Sequence, residues 1–97
     1  MNFNEIAESI KEQAKKVSPL GGTFKLVIDD NIVFVDGSGD ENVVSFEDKE
    51  ADCTISTSQK HLVDMMNGDL NPMMATMTGK VKIKGDMGLA MKLQSLL

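Results

Sequence analysis

The chain has 97 residues, 41% of them hydrophobic and 26% charged, a balance that excludes a disordered polar segment and leaves no room for a second core. A net charge of −5 excludes a general nucleic-acid binder, which needs basic surface to displace counterions. A single cysteine, Cys53, excludes an internal disulfide and any paired-thiol metal or redox motif.

Phe3, Ile6, Ala7, Ile10, Ala14 and Val17 recur at helical spacing among Glu and Lys,. Asn2 with Glu5 forms a capping-box pattern, and Pro19 with Gly21 and Gly22 stops the run,. A first helix is predicted over 3–17. Four short β-rich runs follow, Thr23–Ile28, Ile32–Val35, Val43–Phe46 and Cys53–Thr57, separated by acidic and glycine turns,. Their short connections predict hairpins and hence an antiparallel meander. Thr57 or Ser58 then caps a second helix carrying Leu62, Val63, Met65 and Met66, stopped at Asn67-Gly68. Asn71-Pro72 opens a short third helix holding Met73, Met74 and Met77, because proline is tolerated in a first turn,. Lys80-Val81-Lys82-Ile83-Lys84 alternates strictly and is predicted as a strand with Val81 and Ile83 inward,. Asp86 caps a last helix from Met87 to the end. The order predicts an α+β fold, a small, largely antiparallel five-stranded sheet with helices over one face.

Chemistry on polar residues finds little support. His61 and Asp64 make at most two metal ligands where three or four are needed. A Cys53–His61 nucleophile pair lacks a group to orient the histidine. Gly37-Ser38-Gly39 is a hairpin loop with acidic flanks, unsuited to phosphate. No catalytic residue, metal or cofactor is expected, and the chain reads as a non-enzyme. Lys80, Lys82 and Lys84 form a protected or solvated strand face, with attraction to anionic head groups or phosphates as the functional alternative. Residues 1–52 carry 12 acids and 5 lysines, and residues 53–97 carry 3 acids and 5 lysines, so charge is segregated along the chain. The N-terminus lacks signal-peptide features, no apolar run reaches the ~18 residues of a membrane span, and a cytoplasmic location is expected.

The unusual feature is apolar. All four aromatics are Phe, whereas Met numbers eight, seven of them between residues 65 and 91. On the last helix Gly88, Lys92 and Ser95 form one narrow polar stripe, leaving an apolar arc wider than core packing needs,. Methionine is unbranched and polarisable and fits apolar partners of differing shape. Pattern alone leaves three uses open: ordinary core, a homodimer contact through the C-terminal face, or a ligand pocket.

The segment Ala51–Ile55, the stretch from Asn67-Gly68 to Met74, and above all Gly79-Lys80-Val81-Lys82-Ile83-Lys84-Gly85-Asp86-Met87-Gly88-Leu89-Ala90-Met91-Lys92-Leu93 closely resemble the sterol carrier protein 2 domain. Gly21–Leu26 is similar to that family's first strand, and the likeness extends over essentially the whole chain. The resemblance implies one intracellular, non-catalytic lipid-binding domain over 1–97, with fatty acid, acyl-CoA, phospholipid or sterol held in a tunnel between sheet and C-terminal helices. It also implies transient membrane contact during transfer. Facing direction and resemblance together nominate Phe24, Leu26, Phe34, Ile55, Met66, Met73, Met74, Met77, Val81, Ile83, Met87, Ala90, Met91 and Leu93 as ligand contacts. Family members commonly continue past the last helix, so a chain ending at Leu97 is expected to leave the tunnel more open or covered by a partner. The alternative is an accessory or dimerisation module that presents a lipid-like substrate to a partner enzyme.

Overall fold

The computed structural model describes residues 1–97, apart from the side chains of Leu93 and Gln94. Helix α1 (Phe3–Lys16) starts at the expected capping box: the Asn2 side chain accepts from the Glu5 amide at 2.9 Å, and Glu5 accepts from the Asn2 amide at 3.2 Å. Ile6, Ala7, Ile10 and Ala14 fall on one stripe and are buried against the sheet.

Strands β1 (Thr23–Ile28), β2 (Asn31–Asp36) and β3 (Val43–Ser45) form the first two hairpin pairs as predicted, with Asp29 at φ 53° in the tight β1–β2 turn. β4 (Cys53–Thr57) departs from the expected meander. It pairs in parallel with β1, from Phe24 beside Cys53 to Ile28 beside Thr57, and β5 (Val81–Gly85) then pairs antiparallel with β4. The sheet order is β3-β2-β1-β4-β5. Loop length indicates which neighbours can form a hairpin, not which pairing buries most apolar surface. Beside β1, Cys53 and Ile55 sit next to Phe24 and Leu26, and all four are at most 1% exposed. Two reciprocal bonds fasten the strand starts: Thr23 N donates to Asp52 Oδ2 at 3.1 Å, and Asp52 N donates to Thr23 Oγ1 at 2.9 Å. The β3–β4 segment crosses the outer sheet face, where Lys25 pairs with Asp48 at 3.0 Å and Lys49 Nζ lies 5.4 Å from the centre of the Phe34 ring.

Helices α2 (Gln59–Met66) and α3 (Pro72–Met77) begin where their caps predict, with Ser58 Oγ accepting from His61 N at 3.1 Å and Asn71 Oδ1 accepting from Met73 N at 2.9 Å. Helix α4 (Met87–Lys92) is shorter than expected and tightens into a 3₁₀ turn over Leu93–Leu96, the usual way a helix end satisfies its last carbonyls,. That turn leaves Leu96 fully buried in the core. Asn42, outside any strand, holds the loop after α1. Its Nδ2 donates to the carbonyls of Ala14, Val17 and Ser18 at 3.1–3.3 Å, and its Oδ1 accepts from Leu20 N at 3.0 Å.

Candidate apolar binding groove

The strict alternation of β5 decides what the groove is made of. Val81 and Ile83 share the inner face with Ile55 and Thr57, while Lys82 and Lys84 pair with Ser56 and Thr54 on the other face. α3 packs along β5, and α4 packs across β4 and β5. Between them runs a groove of about 260 Å³. Val81 and Ile83 of β5 form its floor, and Met65 of α2 and Ala90 of α4 join the lining. Met73 and Met77 of α3 line it together with Met87 and Met91 of α4 and Leu97.

Each helix contributes methionines four residues apart, one above the other on the same helical face. They reach over open space instead of into a closed core. Met73, Met77, Met87 and Met91 are 66%, 75%, 57% and 75% exposed. A closed, empty apolar cavity of this volume would cost about 6 kcal/mol; an open, Met-walled groove avoids that cost and conforms to its occupant.

The lining carries no charged side chain among the described residues. Its one hydroxyl, on Thr76, donates to the Pro72 carbonyl of its own helix at 2.9 Å. An occupant therefore meets aliphatic and thioether surface, with no side-chain hydrogen-bond donor turned toward it. Lys82 and Lys84 lie on the opposite sheet face and are exposed.

Three contacts locate α4. Asp86 Oδ1 accepts from Leu89 N at 3.1 Å, capping the helix as predicted,. Lys92 Nζ donates to the Leu20 carbonyl at 3.0 Å. Leu89 fits a notch that exists because residue 22 is glycine: a Cβ there would stand 2.7 Å from Leu89 Cδ1. Gly85 turns the chain from β5 into α4 at φ 106°, where a Cβ would overlap the Asp52 carbonyl.

The structure brings together seven of the fourteen nominated residues: Met73, Met77, Val81, Ile83, Met87, Ala90 and Met91. Phe24, Leu26 and Ile55 lie beneath, fully or almost fully buried in the closed core. Phe34 faces the outer side of the sheet with Lys25, under the β3–β4 segment. Met66 is half-buried against the core, Met74 is exposed outside the lining, and the Leu93 side chain is outside the described residues. Met65, Pro72, Thr76 and Leu97 also line the groove. Met65 was detectable as the position three residues after Leu62 on the buried face of α2,. Thr76 carries no apolar signal.

Elsewhere, Cys53 is wholly buried, and that burial, with the Asp86 carboxylate as the lesser cause, raises its thiol pKa, which suppresses the nucleophilic thiolate,. Among the described residues no group of three His, Cys, Asp or Glu could hold a metal ion, and no helix is long and apolar enough to cross a membrane.

A five-stranded α+β sheet covered by helices is the fold of the sterol carrier proteins. Sterol Carrier Protein 2 Like 2 from Aedes aegypti superimposes with a TM-score of 0.77 over 97% of this chain and 94% of that one, at 24% identity. The chain belongs to the SCP-2 sterol transfer family, whose model matches residues 3–97. It is 40% identical over 103 residues to sterol carrier protein 2 of Rattus norvegicus, covering 97% of this chain. It is 35% identical over 100 residues to hydroxysteroid dehydrogenase-like protein 2 of Xenopus laevis, covering 98%. The chain spans only 19% and 24% of the lengths of those two proteins.

Proposed function

We propose that the 97 residues act as one non-catalytic lipid-binding unit that holds the acyl chain of a fatty acid, acyl-CoA or phospholipid, or a sterol-like body, in the α3–β5–α4 groove. The observation that carries this reading is the groove itself: about 260 Å³, uncharged and walled by adaptable side chains. Each methylene moved from water into it contributes about 0.8 kcal/mol. An apolar wall discriminates weakly between chains, which suits a carrier of several lipids in the cytoplasm. An occupant with a polar head leaves that head at the open side, where transient contact with a membrane would exchange it.

Native mass spectrometry of freshly purified protein should reveal co-purified lipid, and a fluorescent fatty acid should bind and be displaced by unlabelled lipid. If no fatty acid, phospholipid or acyl-CoA binds below roughly 100 μM, the carrier reading fails.

A second reading is favoured by one observation, the small share of its relatives' lengths that the chain spans. In that reading the unit presents a lipid-like substrate to an enzyme, or docks through the same apolar face, as a homodimer would. A dimer with the groove occluded and no displaceable lipid would select it over the carrier.

A further inference from the structure

We propose that the methionine rim of the groove is a site of reversible oxidation by hydroperoxides, and that its oxidation switches ligand binding off. The inference rests on the lipid-binding reading above. Its basis is the placement of sulfur. Met73, Met77, Met87 and Met91 line the groove and are all more than half exposed, whereas Met65, also in the lining, is 7% exposed. The chain's other sulfur chemistry is withdrawn, since Cys53 is wholly buried. Four accessible thioethers are thus gathered at the one surface an apolar occupant must cross.

The step is a two-electron oxygen transfer. A thioether sulfur attacks the outer oxygen of a hydroperoxide, the S–O bond forms and the O–O bond breaks. The departing oxygen takes up a proton and leaves as water or an alcohol. Sulfur is oxidised and the peroxide reduced, with no further reactant.

The consequence follows from the lining. A sulfoxide oxygen is a strong acceptor, but the only hydroxyl among the described lining residues is already donating to the Pro72 carbonyl. Each oxidised side chain must turn out to water and leave a gap, or hold an unpartnered dipole against the lipid chain, and both weaken binding. An occupant lying over these four lining side chains also shields their sulfurs from peroxide and so slows their oxidation. Met1 and Met74 are 56% and 53% exposed but lie off the groove, so they oxidise without protection. Methionine sulfoxide reductases, one for each epimer, reverse the change.

The experiment treats the full chain with hydrogen peroxide, with and without bound palmitate, and reads sulfoxide at each methionine by peptide mass spectrometry. Palmitate affinity is then measured before oxidation, after it, and after treatment with both reductases. Expected are palmitate protection confined to Met73, Met77, Met87 and Met91, an affinity loss of about tenfold or more, and recovery on reduction. The combined variant Met73→Leu, Met77→Leu, Met87→Leu, Met91→Leu should lose the sensitivity. If that variant does not fold, reductase recovery on the unaltered chain decides. Affinity unchanged within about twofold on a fully oxidised rim overturns the inference while leaving the carrier reading intact. Failure of the untreated chain to bind any lipid overturns both.

Discussion

Gly22→Ala asks whether α4, one wall of the groove, is held by shape against the start of β1. The new Cβ would stand 2.7 Å and 3.2 Å from the two δ-carbons of Leu89 and 3.0 Å from Asp52 Oδ2. Carbon atoms settle no closer than ~3.5 Å, so Leu89 must retreat by roughly 0.8 Å and carry α4 with it. Overpacking of this kind costs about 1–3 kcal/mol. Leu89→Ala alone should cost about 2–3 kcal/mol, the lower part of the range for leucine truncation, because Leu89 sits at the edge of the core at 8% exposure. Combining the two removes the δ-carbons that clash. The double variant should therefore be more stable than the sum of the singles predicts, by about 1–2 kcal/mol. Urea unfolding reads this directly, since ~2 kcal/mol moves the midpoint by roughly 1 M at a slope of ~2 kcal/mol/M. Lipid affinity of Gly22→Ala should fall in parallel as α4 shifts off the groove. If the two substitutions add within about 0.5 kcal/mol, Leu89 is not seated against Gly22 and the account of how α4 is positioned is wrong.

Asn42→Ala removes four hydrogen bonds around the end of α1 and should cost about 2–4 kcal/mol. Asn42→Asp should be no better despite its matching shape, because a carboxylate oxygen replaces the donor facing three carbonyls; an Asp variant with a near-native melting temperature would refute this. Cys53 makes stability pH-dependent: its folded thiol holds its proton above the ordinary value, so the unfolded chain releases a proton first. Stability should fall as pH rises past about 8.5, and Cys53→Ala should flatten that part of a urea-midpoint profile. The two faces of β5 separate ligand contact from surface charge. Ile83→Asp should weaken lipid binding about tenfold or more by placing a carboxylate on the groove floor, whereas Lys82→Asp on the opposite face should leave it within about twofold; equal losses in a lipid titration would contradict the placement of the groove.

Local features of the fold were legible because each is written within a few residues. The capping box at Asn2 and Glu5, the caps at Ser58, Asn71 and Asp86, and the alternation of Val81 and Ile83 are all contacts or periodicities of short range,. The concentration of methionine between residues 65 and 91 marked surplus adaptable apolar surface in that half of the chain, without deciding between core, dimer contact and pocket,.

Tertiary structure decided the rest. The parallel seat of β4 beside β1 depends on which strand buries Cys53 and Ile55 best, and on the reciprocal Thr23–Asp52 bonds across 29 residues of chain. The same seating separates lining from core. Phe24, Leu26 and Ile55 have the inward direction of a ligand contact, yet they lie under helices and are at most 1% exposed, while Phe34 falls on the far face by the register of β2 against β1. Facing direction is a property of one strand, but burial is a property of everything packed upon it. From its own residues the chain thus determines its elements, their caps and an excess of thioether surface. Only the packing of α3 and α4 along β5 determines that this surface stays open, because the seat of Leu89 against Gly22 and the Lys92 tether to Leu20 act between parts of the chain far apart in sequence.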